Sequence, residues 1–535
     1  MKEGVWKELI SSTGYDDVAA SESKEILDGI INGVDIEFYG ERGKSRHCIN
    51  SRRAIDDENT RTQISAVIAK DVADGKKAGP FSSPPFPFFS LSPVSAVPKK
   101  GTTTMRMVNN LSHPLYGDSI NASIQDAPTK IGNFDQASHA IRRLGSGCML
   151  IKLDVDAAYK QVPVRAQDWP LLGFEWLGQY YYERCLPFGL KSSCRKWELY
   201  ATAMHHFFVH YLNIALVVHY IDDFLFVIDT KSTAQEQLSS ALTLCIELGI
   251  PMSSSKTEGP TTQLTFLGIQ IDTINMVASL SEDRLREVQS LLDDWDNREV
   301  ASKKELQSLT GVLQWCSQVV RPGRSYLRRI IEHTTTLKSD RSQRTIPPSV
   351  FDDIRWWRSF IHQWNGTSII REQQWTDATT IELYTDACES GYGGMFGREW
   401  IEGRWNEHQL TIATNTKKKK LSMPYLELLA LTLAIATWSS SWQGKRITLR
   451  SDCMPVVHSI NRRSSRIPRS MALIRHIATM AALNDFDLQC VHVKGTDNIA
   501  ADTLSRNAMM LFFDNQPNAN RQRTVTALLP TMDRM

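Results

Sequence analysis

No two of the nine cysteines form a C-x-x-C pair, which leaves neither a zinc knuckle nor a disulfide framework to build on. They read as reduced, mostly core residues. There is also no apolar run long enough to cross a bilayer and no signal-peptide pattern, so an intracellular protein, cytoplasmic or nuclear, with no membrane partner is expected. Excess charge of one sign is missing too. The net charge of +2 is too small to reveal a polyanion partner, because carboxylate sites can mask basic grooves in the total. What is present is 535 residues with 42% hydrophobic and 22% charged side chains, a globular composition too long for one domain.

Residues 1–78 are mixed in charge and weakly patterned, with a helix expected around Thr62 to Asp74. The stretch Gly79 to Pro98 is rich in proline and phenylalanine, cannot be regular helix, and reads as an extended lead-in. From Cys148 to Ile271 β-type runs alternate with helical ones, the pattern of an α+β sheet domain. Ser281 to Trp295 then puts Leu285, Val288, Leu292 and Trp295 on one helical face, and Ser302-x-x-Glu305 opens a second helix as a capping box. Pro322-Gly323 stops that helix. A tether rich in charge and tryptophan (Trp356, Trp357, Trp364, Trp375) leads to Ile381, where strands, a glycine-rich turn and helices follow in the order of a mixed-sheet α/β domain. The tail after Arg506 is polar, without period, and expected to be loosely ordered. The divisions expected are an N-terminal extension (1–78), a first catalytic domain (79–275), a helical subdomain (276–345), a tether (346–378), a second catalytic domain (379–508) and a tail (509–535).

Leu153-Asp154-Val155-Asp156-Ala157-Ala158-Tyr159 reads as a strand end with apolar and acidic residues alternating, so Asp154 and Asp156 share a face. Further on, Ile214 to His219 and Phe224 to Ile228 are β-rich runs joined by Tyr220-Ile221-Asp222-Asp223, a hairpin presenting adjacent acids. Neighbouring carboxylates in an apolar hairpin are costly unless a cation neutralises them. Phosphoryl transfer with two metal ions needs such acids, which makes Asp154 and Asp222 candidate bridging ligands and Asp223 a third.

These segments resemble the reverse transcriptase family, in which an LDxxxAY segment (here Leu153 to Tyr159), an LPFG loop (Leu186-Pro187-Phe188-Gly189) and a YxDD hairpin (Tyr220 to Asp223) follow in that order. The resemblance implies a right-hand polymerase of fingers, palm and thumb that uses an RNA template, a DNA primer, deoxynucleoside triphosphates and two Mg²⁺ ions, with Mn²⁺ as an alternative. It adds Val155 to the metal set. It makes Lys256, Phe188 and Gly189 neighbours of the incoming nucleotide, and Tyr159 the gate against a ribose 2′-OH. Val97-Pro98-Lys99-Lys100-Gly101 and Met105-Arg106 look like the fingers hairpin, so Lys99 or Lys100, with Arg106, would clamp the triphosphate. Phe266-Leu267-Gly268 matches the primer-gripping turn. Where many relatives read Ser-Ala-Pro, this chain departs with Ser192-Ser193-Cys194-Arg195-Lys196-Trp197.

Tyr384-Thr385-Asp386-Ala387, Glu427 on an amphipathic helix, Arg450-Ser451-Asp452, and Asp502 within A-D-x-L-S-R resemble retroelement ribonuclease H in their order. This implies a second pair of Mg²⁺ ions, held by Asp386, Glu427, Asp452 and Asp502, and cleavage of the RNA strand of RNA–DNA hybrids. His492 stands where the family places a histidine that assists proton transfer or product release, against the alternative of a buried strand residue. Arg462, Arg463, Arg466 and Arg469, and also Lys417 to Lys420, are candidate grips on a hybrid backbone. Flanking phrases such as Ser92-Pro93-Val94-Ser95-Ala96-Val97-Pro98 and Leu306-Gln307-Ser308-Leu309-Thr310-Gly311 look like the DIRS-like retrotransposons with tyrosine recombinases, which implies a recombinase and a capsid-like protein as partners. Rival readings are a domesticated, inactive nucleic-acid-binding scaffold and a polymerase making RNA. The acids at both sites argue against the first, and Tyr159 against the second.

Overall fold

The computed structural model describes residues 1–46, 57–98, 104–114, 117–296, 298–339, 343–363, 368–369, 375–376, 382–415, 420–443, 445–484 and 486–529. Lys99, Lys100, Trp364 and Lys417 to Lys419, singled out above, lie outside the described residues. The chain divides into two units of mixed helix and sheet, Met1–Phe266 and Leu267–Met535.

In the first unit, α1 (Glu3–Ser12), α2 (Ala20–Asn32) and α3 (Glu58–Ala73) precede β1 (Lys77–Phe81) and the hairpin of β2 (Val94–Pro98) and β3 (Met105–Asn109). Helix α3 begins where Asp57 accepts the Thr60 amide, close to the expected Thr62. After α4 (Phe134–Leu144) come β4 (Met149–Asp154), β5 (Gly173–Trp176), β6 (Gln179–Glu183), α5 (Ser193–His210), β7 (Val217–Tyr220), β8 (Asp223–Ile228), α6 (Lys231–Leu248) and β9 (Glu258–Thr261). The central sheet runs β7-β8-β4-β9, all antiparallel. One face of it buries Ile151, Leu153, Phe224 and Phe226 against α5 and α6 in a continuous core.

The N-terminal segment is not an extension of that core but part of it. Trp6 on α1 is fully buried and donates its indole N–H to the Leu248 carbonyl at the end of α6, 3.0 Å away. Burying so large a ring contributes about 2–3 kcal/mol, and its partner lies 242 residues along the chain, beyond any local pattern.

The second unit opens with β10 (Ile269–Asp272) and β11 (Val277–Leu280). Helices α7 (Glu282–Asp296) and α8 (Lys303–Cys316) follow as expected, α8 starting at the reciprocal Ser302–Glu305 capping box. After α9 (Arg328–Thr335), the presumed tether contains a packed helix, α10 (Pro348–Gln363), with Trp357 fully buried and Trp356 stacked on Tyr326 at 3.8 Å. A five-stranded sheet then forms from β12 (Leu383–Ala387), β13 (Gly391–Phe396), β14 (Glu399–Arg404), β15 (Arg446–Ser451) and β16 (Asp487–His492) in the order β14-β13-β12-β15-β16. β12, β15 and β16 are parallel and the β12-β13-β14 meander is antiparallel. Helices α11 (Met423–Trp438), α12 (Met454–Arg462), α13 (Pro468–Leu483) and α14 (Ile499–Ser505) complete it.

The expectation of a loose tail fails over the described residues. A helix at Met509–Asn515 buries Phe512 against Trp400, and Thr524 donates its amide to the Trp400 carbonyl. The anchor is an apolar patch on β14 that the polar tail sequence does not announce.

Candidate active sites

Strand β4 ends at Asp154, which stands directly opposite Asp223 in the antiparallel register, so both side chains leave the same face. Tyr220 pairs with Asp223, leaving Ile221 and Asp222 as a two-residue hairpin loop. Ile221 has φ +55°, the left-handed value a primed turn requires but a β-branched side chain resists at a cost of about 1–3 kcal/mol. The Asp222 carbonyl accepts the Val155 amide at 2.9 Å, tying the turn to the end of β4. Asp154, Asp222 and Asp223 therefore converge, while Asp156 is exposed and contributes only backbone contacts. Burial, then the charges of Asp222 and Asp154, pushes the Asp223 carboxyl up to about 7, and burial with Asp154 raises Asp222. Lys256 was placed beside the triphosphate by resemblance. Its ammonium lies 2.9 and 3.0 Å from the two Asp154 oxygens and supplies the positive charge that acid faces.

Beside the acids, the Tyr159 ring lies 5.2 Å from Phe188, and the Arg106 guanidinium sits 4.6 Å over the same Phe188 ring. Gly189 has φ +102°, and a Cβ there would stand 1.9 Å from the Asn109 carbonyl oxygen. The loop thus reaches β3 only through glycine. Gly189→Ala is expected to lose several kcal/mol, on the order of 2–4, by strain and a broken loop–strand contact. Thermal unfolding of the purified variant checks this, with an unchanged midpoint as the contrary result. Phe266 is buried, and the Leu267 carbonyl accepts the Trp315 indole N–H at 3.1 Å with Leu267 and Gly268 both at positive φ.

In the second unit, Asp386 lies on β12, Asp452 follows β15, and Glu427 projects from α11. These three acids offer oxygens all within 4.8 Å of one another. Asp502 on α14 stands outside that set: its carboxylate is paired with Arg506 at 2.8 Å, its charge reaches Asp386, and Ser505 of the same helix donates to Asp386 at 2.5 Å. Helix α14 comes this close because β13 carries glycine. A Cβ on Gly393 would meet Leu504 at 2.5 Å and the Ala501 carbonyl at 2.6 Å. Burial first, then Asp386 and Asp452, pushes Glu427 up to about 9, and burial followed by Asp502 and Asp452 takes Asp386 to about 6 despite the Ser505 hydrogen bond. Glu427 Oε2 is buried without a hydrogen-bond partner. A set of carboxylate oxygens with one orphaned suits a hard divalent cation such as Mg²⁺ or Mn²⁺.

His492 is exposed at the end of β16, in register with Ser451 just before Asp452. Arg462 and Arg466 are exposed, whereas Arg463 is paired with Asp487 at 2.6 Å and Arg469 donates to the carbonyls of Ile412 and Thr414. Of the cluster, those two arginines are engaged in holding the fold.

Residues 97–271 match the family model described as reverse transcriptase (RNA-dependent DNA polymerase), a span that holds Asp154, the LPFG loop and the acidic hairpin. That span is similar to the reverse transcriptase family. Over a longer stretch the chain is 20% identical to Polyprotein P3 of Commelina yellow mottle virus across 374 residues, which is 68% of this chain and 18% of that protein. It is 23% identical to the enzymatic polyprotein of Cauliflower mosaic virus (strain D/H) across 359 residues, 66% of this chain and 49% of that one. The chain thus spans between about a fifth and a half of the curated relatives it matches. Among solved structures it is similar to the foamy viral protease-reverse transcriptase in complex with dsDNA, with a TM-score of 0.48 and 15% identity over 92% of this chain and 97% of that one.

Sequence reasoning missed several residues that support the acidic site of the first unit. Lys77, Glu183, Asp71 and Lys160 form a buried ion-pair chain that ties the segment after Tyr159 to α3 and β1. Trp197, Glu198, His205 and His219 bolt α5 to the acidic hairpin. The unusual Ser192 to Trp197 segment was the available signal for these, though nothing in it named their partners. Among the described residues no helix is long and apolar enough to cross a membrane.

Proposed function

We propose that the chain is an RNA-directed DNA polymerase, able also to copy DNA, whose second unit is a ribonuclease H that removes the RNA strand of the hybrid. The observation that carries it is the register that sets Asp154 opposite Asp223 with Asp222 on the strained turn between β7 and β8. Asp154, Asp222 and Asp223, with the Val155 carbonyl, are the proposed holders of two Mg²⁺ or Mn²⁺ ions. When bound, such ions lower the charge on the transferring phosphate and on the attacking and departing oxygens. Arg106 is placed to meet the phosphates of the incoming nucleotide, joined by Lys99 or Lys100. Lys256 orients Asp154 and stands ready to face the same phosphates. Tyr159, backed by Phe188, is the wall against which a ribose 2′-OH would collide.

In the second unit Asp386, Glu427, Asp452 and Asp502 hold the second pair of ions, Ser505 orients Asp386, and the exposed His492 imidazole moves a proton at the edge of the site. Arg462 and Arg466 are free to meet the backbone of the hybrid, and the Leu267-Gly268 turn to meet the primer. The flanking phrases support a DIRS-like origin, in which a recombinase and a capsid-like protein would be the element's other products.

The test uses purified chain, Mg²⁺, a labelled DNA primer on an RNA template, and deoxynucleotides beside ribonucleotides. Extension with deoxynucleotides and shortening of the RNA are expected, and Asp386→Asn should remove only the shortening. A chain that binds the hybrid yet neither extends nor cleaves would hand the assignment to the inactive scaffold.

A further inference from the structure

Asp222 sits between two peptide planes, and the orientation of those planes determines its φ and ψ and hence the direction of its carboxylate. The plane after it is pinned by the Val155 amide, which donates to the Asp222 carbonyl at 2.9 Å. The plane before it is pinned by a second donor, on α5. The indole N–H of Trp197 donates to the Ile221 carbonyl at 2.7 Å. Trp197 is fully buried on α5 and stacks near Tyr200, so its ring is a fixed post. The next residue on α5, Glu198, accepts from His219 Nε2 at 2.9 Å, and about two turns further His205 contacts His219 Nδ1 at 2.9 Å, which holds β7 just before the turn to the same helix.

From this geometry we infer that Trp197 is a positioning residue of the polymerase site: its N–H holds the Ile221–Asp222 peptide in the strained orientation that aims Asp222 at Asp154. The inference rests on the polymerase reading for its kinetic consequence. Ile221 at φ +55° opposes this orientation, because a β-branched residue gains by leaving the left-handed region. Without a donor on the Ile221 carbonyl the turn relaxes, and the carboxylate swings with it. A buried indole that merely satisfies its own N–H predicts a loss of stability and nothing more.

Trp197→Phe removes the donor and keeps an aromatic ring. Replacing Trp197 by its benzothiophene analogue keeps the bicycle as well and loses only the N–H, so it serves where the phenylalanine variant does not fold. In the full chain carrying Asp386→Asn to silence the second site, Mn²⁺ affinity of the palm acids is read by electron paramagnetic resonance. It should weaken about tenfold in either variant, the size usual for an outer partner of a metal ligand. In the extension assay kcat should fall about tenfold, with the KM for deoxynucleotide changed less than about twofold. Adding Ile221→Gly, for which positive φ is free, should shrink the effect of losing the N–H to less than about threefold.

Unchanged Mn²⁺ affinity in a folded variant overturns the inference, as does a loss equally large in the Ile221→Gly background. A wild-type chain that fails to extend primers would instead sink the polymerase reading. The Mn²⁺ measurement still decides the role of Trp197 in that case.

Discussion

Asp222→Asn is expected to lower primer extension at least about 10³-fold, equivalent to about 4 kcal/mol of lost transition-state stabilisation, while leaving hybrid cleavage within about twofold of wild type. Asparagine keeps the size of the side chain and the Ile221–Asp222 backbone bonds to Trp197 and Val155. What disappears is the negative charge with which Asp222, together with Asp154, would hold a divalent cation. The fold should survive, since burial and Asp154 already raise the Asp222 carboxyl and the charge is costly to the metal-free protein. Asp223 brings a pH dependence of a definite sign. Its carboxyl is pushed up to about 7 by burial and by Asp222 and Asp154, so protons compete with the cation as pH falls through that value. At limiting Mg²⁺, wild-type extension should therefore drop between pH 8 and pH 6, and excess Mg²⁺ should restore it. Steady-state extension rates and a gel of labelled hybrid check both arms. Retained extension in the asparagine variant, with the nuclease intact, would remove Asp222 from the site.

The acids were legible because their local backbone is legible. An apolar–acidic alternation at Leu153 to Asp156 and β-rich runs flanking Tyr220 to Asp223 specify a strand end and a hairpin, and the antiparallel pairing of β4 with β8 then leaves the carboxylates few places to go. The capping box at Ser302 and the helix near Ser281 were readable for the same reason: both are decided within four residues. Failures cluster where a side chain's partner is remote. Trp6 meets Leu248, Trp400 meets Asn520, and Arg475 meets Asp353 across 242, 120 and 122 residues. An N-terminal extension, a loosely ordered tail and a tether are what the sequence suggests for three segments whose polarity is real. Each nonetheless buries large apolar side chains, Trp6 and Tyr15 in the first, Phe512 in the second, Trp357 and Ile361 in the third. Ser505 is intermediate. The motif around Asp502 contains it, but that its hydroxyl would reach Asp386 depends on Gly393 letting α14 lie against β13.

Glu427→Gln separates function from stability most sharply. Hybrid cleavage should fall at least about 10³-fold, because Glu427 is one of the three acids whose oxygens gather within 4.8 Å. Yet in the presence of a chelator at pH 8 the variant should be more stable than wild type, on the order of 2 kcal/mol. The sign follows from the shift. Burial, with Asp386 and Asp452, moves the Glu427 carboxyl from 4.5 to about 9, so the folded metal-free chain holds a proton that the unfolded chain has released. The stability this group contributes is complete below pH 4.5 and drains away as pH rises toward about 9. Glutamine carries no charge to desolvate and escapes that loss, so the gap between variant and wild type should be wide at pH 8 and narrow at pH 5. Saturating Mg²⁺ should close it from the other side, by binding the native wild-type site and not the unfolded chain. Thermal melts at the two pH values, with chelator and with Mg²⁺, provide the four numbers required. A variant less stable than wild type at pH 8 in chelator would mean that Glu427 is ionised and satisfied without a cation, and the metal cage in the second unit would have to be given up.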